Sequence, residues 1–236
     1  MSALVIDNLH VVFGAFRALD ALSLAVDSGE VRAVIGPNGA GKTTLLDAIT
    51  GITRPRSGRI LLGDTYDLTA CSEAEIARAG VRRKFQKPSV FPALTVRENL
   101  AIGCGPECPA RTRPARLAST LSETGLEARA DTLAGALAHG EKQWLEIGMV
   151  LASEPRLILL DEPVAGLSDA ETARTADLIG ALRRPHRAIL VIEHDMAFVE
   201  AVADRVTVLH EGRTLFEGSM TGARADARVI EVFLGR

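Results

Sequence analysis

Apolar and polar positions change rhythm twice along this chain. Leu4 to Ile6, Leu22 to Val26, Val31 to Ile35 and Arg59 to Leu62 are short β-prone runs broken by Asp, Asn and Gly, the pattern of strands and tight turns. After Lys42 the spacing turns helical: Thr44 to Ile49 predicts a helix stopped at Gly51, a residue suited to a C-terminal cap. From about Lys87 to Ser153 strand signals fade. Helical spacing replaces them in Asn99 to Ile102, Arg116 to Leu121 and Glu141 to Leu151. Between these, 103–114 carries two Gly and three Pro and reads as a loop. Strands return at Leu157 to Leu160, Ala188 to Ile192, Val206 to Leu209 and Thr214 to Phe216. The order β-rich, α-rich, then alternating predicts one α/β core with a helical subdomain inserted in it.

Composition narrows the class without naming it. The chain has 236 residues, 47% of them hydrophobic, with a net charge of −3, so a sizeable core is expected and nucleic acid is not the expected partner. The apolar runs near 157 and 188 are far too short to cross a bilayer. The opening residues lack the basic start and long apolar stretch of a signal peptide, so a cytoplasmic, soluble or peripheral protein is expected. Cys71, Cys104 and Cys108 cannot all pair, in keeping with a reducing compartment. Cys104 and Cys108 have metal-like spacing, but the sequence supplies no third or fourth ligand nearby.

The strongest chemical signal is Gly36-Pro37-Asn38-Gly39-Ala40-Gly41-Lys42-Thr43, a complete phosphate-binding P-loop between a predicted strand and a predicted helix. Its glycines let backbone N–H groups turn towards phosphate oxygens, and the helix N-terminus adds positive potential. Lys42 can reach the β- and γ-phosphates, the Thr43 hydroxyl can ligate Mg²⁺, and Thr44 adds an α-phosphate contact, so ATP with Mg²⁺ is the expected ligand. A second element is the apolar strand Leu157 to Leu160 ending in Asp161 and Glu162. Such strand ends face ligands in α/β sheets. Asp161 would hold the Mg²⁺ shell, and Glu162 would orient and deprotonate water. His194 follows the strand Ala188 to Ile192 and reads either as a structural histidine or as a γ-phosphate donor. Phe13 and Phe16 read equally as core residues or as adenine-stacking ones. Arg82-Arg83-Lys84 reads as a solvated basic face, and Trp144 as core or interface.

Taken in order, these motifs resemble the ATP-binding-cassette (ABC) family over essentially the whole chain. The resemblance implies a P-loop NTPase core of the ABC-ATPase type with an antiparallel β subdomain and an inserted α-helical subdomain. It divides the chain into a core of 1–86 and 154–236 and a helical part of 87–153. It selects Phe13 as the adenine-stacking aromatic and makes Gln86 the glutamine that contacts Mg²⁺ or water, beside Thr43 and Asp161. It makes Glu162 the catalytic carboxylate, helped by Lys42, Gln86 and His194, and Ala165 to Ser168 a loop at the dimer contact. The family also pairs two ATPases head to tail across two ATP molecules, working with transmembrane permeases on the inner face of the membrane and, for importers, with a periplasmic solute-binding protein.

One motif departs from the family. Its signature Leu-Ser-Gly-Gly-Gln appears as Leu137-Ala138-His139-Gly140-Glu141. Ala138 lacks the hydroxyl that contacts the partner's γ-phosphate, a loss of about 1.5–3 kcal/mol. Glu141 adds negative charge near a polyanion. A non-identical partner ATPase with an intact signature is therefore expected. The stretches 83–91, 139–149 and 162–166 look like the ATPases of urea importers within the branched-chain amino-acid uptake group, whose C-terminus 229–235 resembles, so urea is the expected cargo. Branched-chain amino acids or short amides come next, and a lipopolysaccharide exporter is the nearest alternative. A cytosolic ABC protein acting on DNA or ribosomes would carry a coiled coil or a second cassette, and the chain has neither. A catalytically silent module fits poorly with Lys42, Asp161, Glu162 and His194 all present.

Overall fold

The computed structural model describes residues 2–63, 65–84, 90–106 and 108–234, of Leu234 the backbone alone. Gln86 and most of the 83–91 stretch lie outside the described residues. The chain divides into two compact units. The first comprises 1–82, 156–162 and 183–236; the second comprises 83–155 and 163–182.

In the first unit, strands β1 (Ser2–Phe13), β2 (Phe16–Asp27), β4 (Ser57–Leu62) and β5 (Tyr66–Asp67) form an antiparallel sheet in the order β2-β1-β4-β5. Leu22, Leu24 and Val26 of β2 are buried while the residues between them are exposed, the alternation of a sheet with one wet face. β1 and β2 run to twelve residues each because they pair through a hairpin whose ends, Phe13 and Phe16, face each other.

The second sheet has the order β10-β9-β3-β8-β7-β6, built from β3 (Val31–Ile35), β6 (Val81–Lys84), β7 (Leu157–Asp161), β8 (Ala188–Ile192), β9 (Arg205–His210) and β10 (Arg213–Gly218). β9, β3, β8 and β7 run parallel, and β10 closes the edge antiparallel to β9. β3, β7 and β8 are buried at every position, which explains why they are apolar apart from Arg32 in β3 and the terminal Asp161 of β7. The main core joins the antiparallel sheet to helix α1 (Lys42–Ile49) and to one face of these strands through Leu4, Leu22, Leu45, Leu159 and Leu190. Arg32 is a fully buried charge inside β3. Glu30 (2.6 Å) and Glu217 (3.1 Å) pair with it, and Thr207 and the Ala25 carbonyl accept from it, so no donor is left stranded. Helices α2 (Glu73–Arg78), α7 (Met196–Val202), α8 (Met220–Ala225) and α9 (Ala227–Leu234) complete this unit.

The second unit is helical: α3 (Val96–Gly103), α4 (Arg113–Thr124), α5 (His139–Leu151) and α6 (Asp169–Ala181). It takes in 163–182, which the sequence reading placed with the core. The reason is local: Trp144 of α5, only 4% exposed, donates from Nε1 to Thr175 Oγ1 of α6 at 3.0 Å, and the Arg174 guanidinium covers its ring at 3.7 Å. Arg82-Arg83-Lys84 also departs from expectation. It is strand β6, and Lys84 is buried with its ammonium 3.6 Å from the buried Glu146 carboxylate. Basic side chains here sit within a sheet and not on a solvated face.

Candidate functional site

Three segments of the first unit carry the residues expected to handle a nucleotide. The P-loop follows β3 and leads into α1, whose N-terminal turn carries no side-chain cap and no acidic residue. A helix N-terminus left without a side-chain cap or a nearby carboxylate suits an anion. Gly41 has a φ of 103°, and a Cβ there would lie 2.7 Å from the Ala18 carbonyl oxygen and 2.8 Å from Leu19. A Cβ on Gly36 would collide with the Leu209 carbonyl, whereas one on Gly39, at φ 80°, would meet nothing within 4 Å. Two of the glycines are therefore demanded by packing under the loop, and Gly39 by its backbone conformation at an open surface. Pro37 is half-buried, Asn38 exposed and Ala40 buried, with the Ala40 N–H donating to Pro37 O at 3.2 Å.

Lys42 folds its ammonium back over the loop and donates to Gly36 O at 2.7 Å and Pro37 O at 3.0 Å. Burial lowers its pKa, and the carboxylates of Glu162 and Asp161 oppose that shift. The field of the two acids therefore reaches the lysine. Thr43 is exposed and Thr44 half-buried at the start of α1. Asp161 ends β7 and is 5% exposed. Glu162 follows in the left-handed region at φ 46°, held by its N–H donating to Ile192 O at 2.9 Å. That conformation costs a non-glycine residue of order 1–3 kcal/mol. His194, 70% exposed, brings Nδ1 to 3.8 Å from Glu162 Oε1. The P-loop, the β7 acids and the histidine after β8 are thus brought together by the parallel register of β3, β8 and β7.

Sequence reasoning missed the parts that set His194 in place. Glu193 is buried, and its Oε2 accepts the His194 N–H at 3.0 Å. Asp195 caps α7, accepting from Ala197 N at 2.9 Å and Phe198 N at 3.0 Å. An Asp immediately before a helix was the available signal; a buried glutamate at a strand end has none. Phe13 and Phe16 are 53% and 63% exposed, so neither is a core residue.

The signature segment belongs to the second unit. Leu137 is buried, Ala138 and His139 are exposed, and Gly140 is buried, with the Glu171 carboxylate packed where a Cβ would stand. His139 Nε2 lies 3.3 Å from Ala165 O. The negative charge that Glu141 brings to the signature has partners within this unit. Oε2 accepts the Ala138 N–H at 3.0 Å and Oε1 pairs with Arg129 Nε at 2.9 Å. The Ala138 N–H, and then Arg129, hold the Glu141 carboxyl below the usual carboxylate range. Among the described residues no group of three or more His, Cys, Asp and Glu side chains gathers as a metal cage. A Mg²⁺ held by a threonine hydroxyl, one carboxylate and phosphate oxygens needs no such cage, and exposed Thr43 with Asp161 fits that donor set. No helix among the described residues is long and apolar enough to cross a membrane.

A P-loop leading into an uncapped helix, acids at a parallel strand end and a histidine beside them define a nucleotide-hydrolysing cassette. Residues 19–165 match the ABC transporter family model. The chain belongs to that family and is a nucleotide-binding, ATP-hydrolysing transporter subunit. It is similar to the high-affinity branched-chain amino acid transport ATP-binding protein LivG of Salmonella typhimurium, 36% identical over 98% of this chain and 97% of the relative. The arabinose import ATP-binding protein AraG 2 of Burkholderia thailandensis is 36% identical over 100% of this chain but 45% of its own length. Among solved structures, the ADP conformation of an ATP-binding cassette of an ABC transporter superposes with a TM-score of 0.89 at 31% identity, covering 100% of both chains.

Proposed function

We propose that this chain is the ATPase of an importer for a branched-chain amino acid or a small solute of similar character. The carrying observation is the end-to-end likeness to LivG, which covers nearly all of both chains. The arabinose relative has similar identity but is about twice as long, so it supports the import class more than the cargo. Urea, expected from the stretches 83–91, 139–149 and 162–166, rests on those stretches alone and becomes the second reading. Uptake of labelled leucine and labelled urea by cells with and without this chain separates them. Loss of leucine uptake alone supports the first reading, loss of urea uptake alone the second, and unchanged uptake of both refutes the cargo proposal.

Within the site, the residues take distinct roles. The P-loop amides of 36–43 and Lys42 bind the phosphates, with Lys42 leaving the Gly36 and Pro37 carbonyls to do so. Thr43, Asp161 and Gln86 would hold Mg²⁺, which would neutralise charge on the phosphate oxygens. Glu162 takes the proton of the attacking water, and His194 donates to the γ-phosphate. Phe13 stacks on adenine. Partners are transmembrane permeases on the inner face of the membrane, a periplasmic solute-binding protein acting through them, and a second ATPase.

Ala138 offers no hydroxyl to a partner's nucleotide, which supports a non-identical second ATPase whose own signature completes the site over Lys42 and Glu162. Mixing Glu162→Gln protein with that partner tests this. The asymmetric arrangement requires turnover to fall to a few per cent of wild type or less, consistent with a general-base loss of about 10²-fold or more. Substantial residual activity would sink it.

A further inference from the structure

The cysteines of the α3–α4 connection play no part in nucleotide chemistry, and their setting is specific. Cys104 caps the C-terminus of α3, and Cys108 lies four residues on, in the loop before α4. Both are buried at 5% exposure and form one small cluster with Ala152, covered by Leu117. Both side chains are free thiols packed in that same cluster. The loop is tied down on both sides of Cys108. Arg113 Nη2 donates to Gly105 O and to Cys108 O, each at 3.3 Å, and Thr112 Oγ1 lies 4.0 Å from Cys108 Sγ. Among the described residues no third His, Asp or Glu joins the pair, so a closed zinc site does not form here.

We propose that Cys104 and Cys108 are a reversible dithiol–disulfide modification site of the helical unit. The two sulfurs stand unequally. Cys104 is anchored at a helix end, and burial raises its pKa, so it stays a thiol at rest. Cys108 sits in a loop whose neighbours Pro106, Pro109 and Ala110 are exposed, so local opening presents it first. With a peroxide as oxidant, the Cys108 thiolate attacks one peroxide oxygen and becomes a sulfenic acid as hydroxide leaves. The Cys104 thiolate then attacks the Cys108 sulfur, forming the S–S bond and expelling a second hydroxide. The two protons given up by the thiols convert both hydroxides to water. Two thiols are oxidised by two electrons and one peroxide is reduced to two waters. A dithiol reductant reverses the bond by exchange. Arg113 and Arg116 favour the thiolate that the second step requires.

The test uses the full-length native chain and hydrogen peroxide. Trypsin releases Glu98–Arg111 with both cysteines in a single peptide and no internal Lys or Arg. After oxidation, denaturation and alkylation, that peptide should be about 2 Da lighter than its dithiol form and carry no alkyl group. Reductant should restore two alkylations. Cys71, a half-buried single thiol in the other unit, serves as the internal gauge of unpaired oxidation. Cys108→Ser should abolish the 2 Da loss. The proposal falls if both thiols remain alkylatable at a dose that oxidises Cys71. It falls equally if they advance separately to sulfinic acids, or if the bond forms only once the chain is unfolded.

Discussion

Lys42 and Glu162 illustrate how single residues carry opposite burdens in this site. Lys42 is held against loop carbonyls and within the field of two carboxylates, so it serves both phosphate charge and the loop's own geometry. Lys42→Ala should abolish measurable nucleotide binding in a fluorescent-ATP titration while leaving the circular dichroism spectrum unchanged. Glu162→Gln preserves shape and the backbone bond to Ile192 but removes the base. Turnover should fall about 10²- to 10⁴-fold with ATP affinity retained, and a variant that loses affinity in parallel would contradict the assigned role. Gly41→Ala places a Cβ against Ala18 O and Leu19 at a φ that L-residues avoid. It should lower stability by about 1–3 kcal/mol in urea unfolding and weaken nucleotide binding together, because the same backbone does both jobs.

Secondary-structure elements set a second scale, where the capping carboxylates matter most. Glu98, Glu141 and Glu171 each reach back to the N-cap backbone N–H of α3, α5 and α6. Each has a lowered pKa, caused first by the Thr95 N–H, the Ala138 N–H and the Ser168 hydroxyl respectively. A carboxylate with a depressed folded pKa contributes stability that is complete above its unfolded value, here 4.5, and is lost as pH falls through the folded value. Helix content followed by circular dichroism in an acid titration should therefore decline below about pH 4.5, and Glu141→Gln should flatten the part due to α5. Thr175→Val should leave the buried Trp144 N–H without its acceptor and cost about 1–3 kcal/mol, read by chemical denaturation. These elements were unevenly legible. The helices around 99, 118 and 146 showed in their spacing, yet α6, α7 and β6 did not. Val81-Arg-Arg-Lys84 has a single apolar residue, and only its place beside β7 and the partner carboxylate of Glu146 make it a strand.

At the scale of the whole molecule, ligand binding and folding are linked through the first unit. ATP at about 100 times its dissociation constant should raise stability by roughly 2.7 kcal/mol, visible as a higher Tm, and the Lys42→Ala chain should show no such rise. Local sequence by itself determined the P-loop, the buried strands and the acids that follow β7. Each depends on residue type over a few positions: glycines where a Cβ cannot fit, unbroken apolar runs where both faces are covered, carboxylates where a strand ends. Tertiary structure alone decided the rest. It buried Glu193 just after β8, since burial is set by what packs around a strand end and not by the residue's neighbours in sequence. It joined 163–182 to the helical unit, because the contact between Trp144 and Thr175 spans thirty-one residues. It also gave Glu141 a cation, Arg129, twelve residues away, a partner that the signature motif alone does not reveal. Long-range partners of this kind are chosen by packing, and packing is a property of the folded chain and not of any window along it.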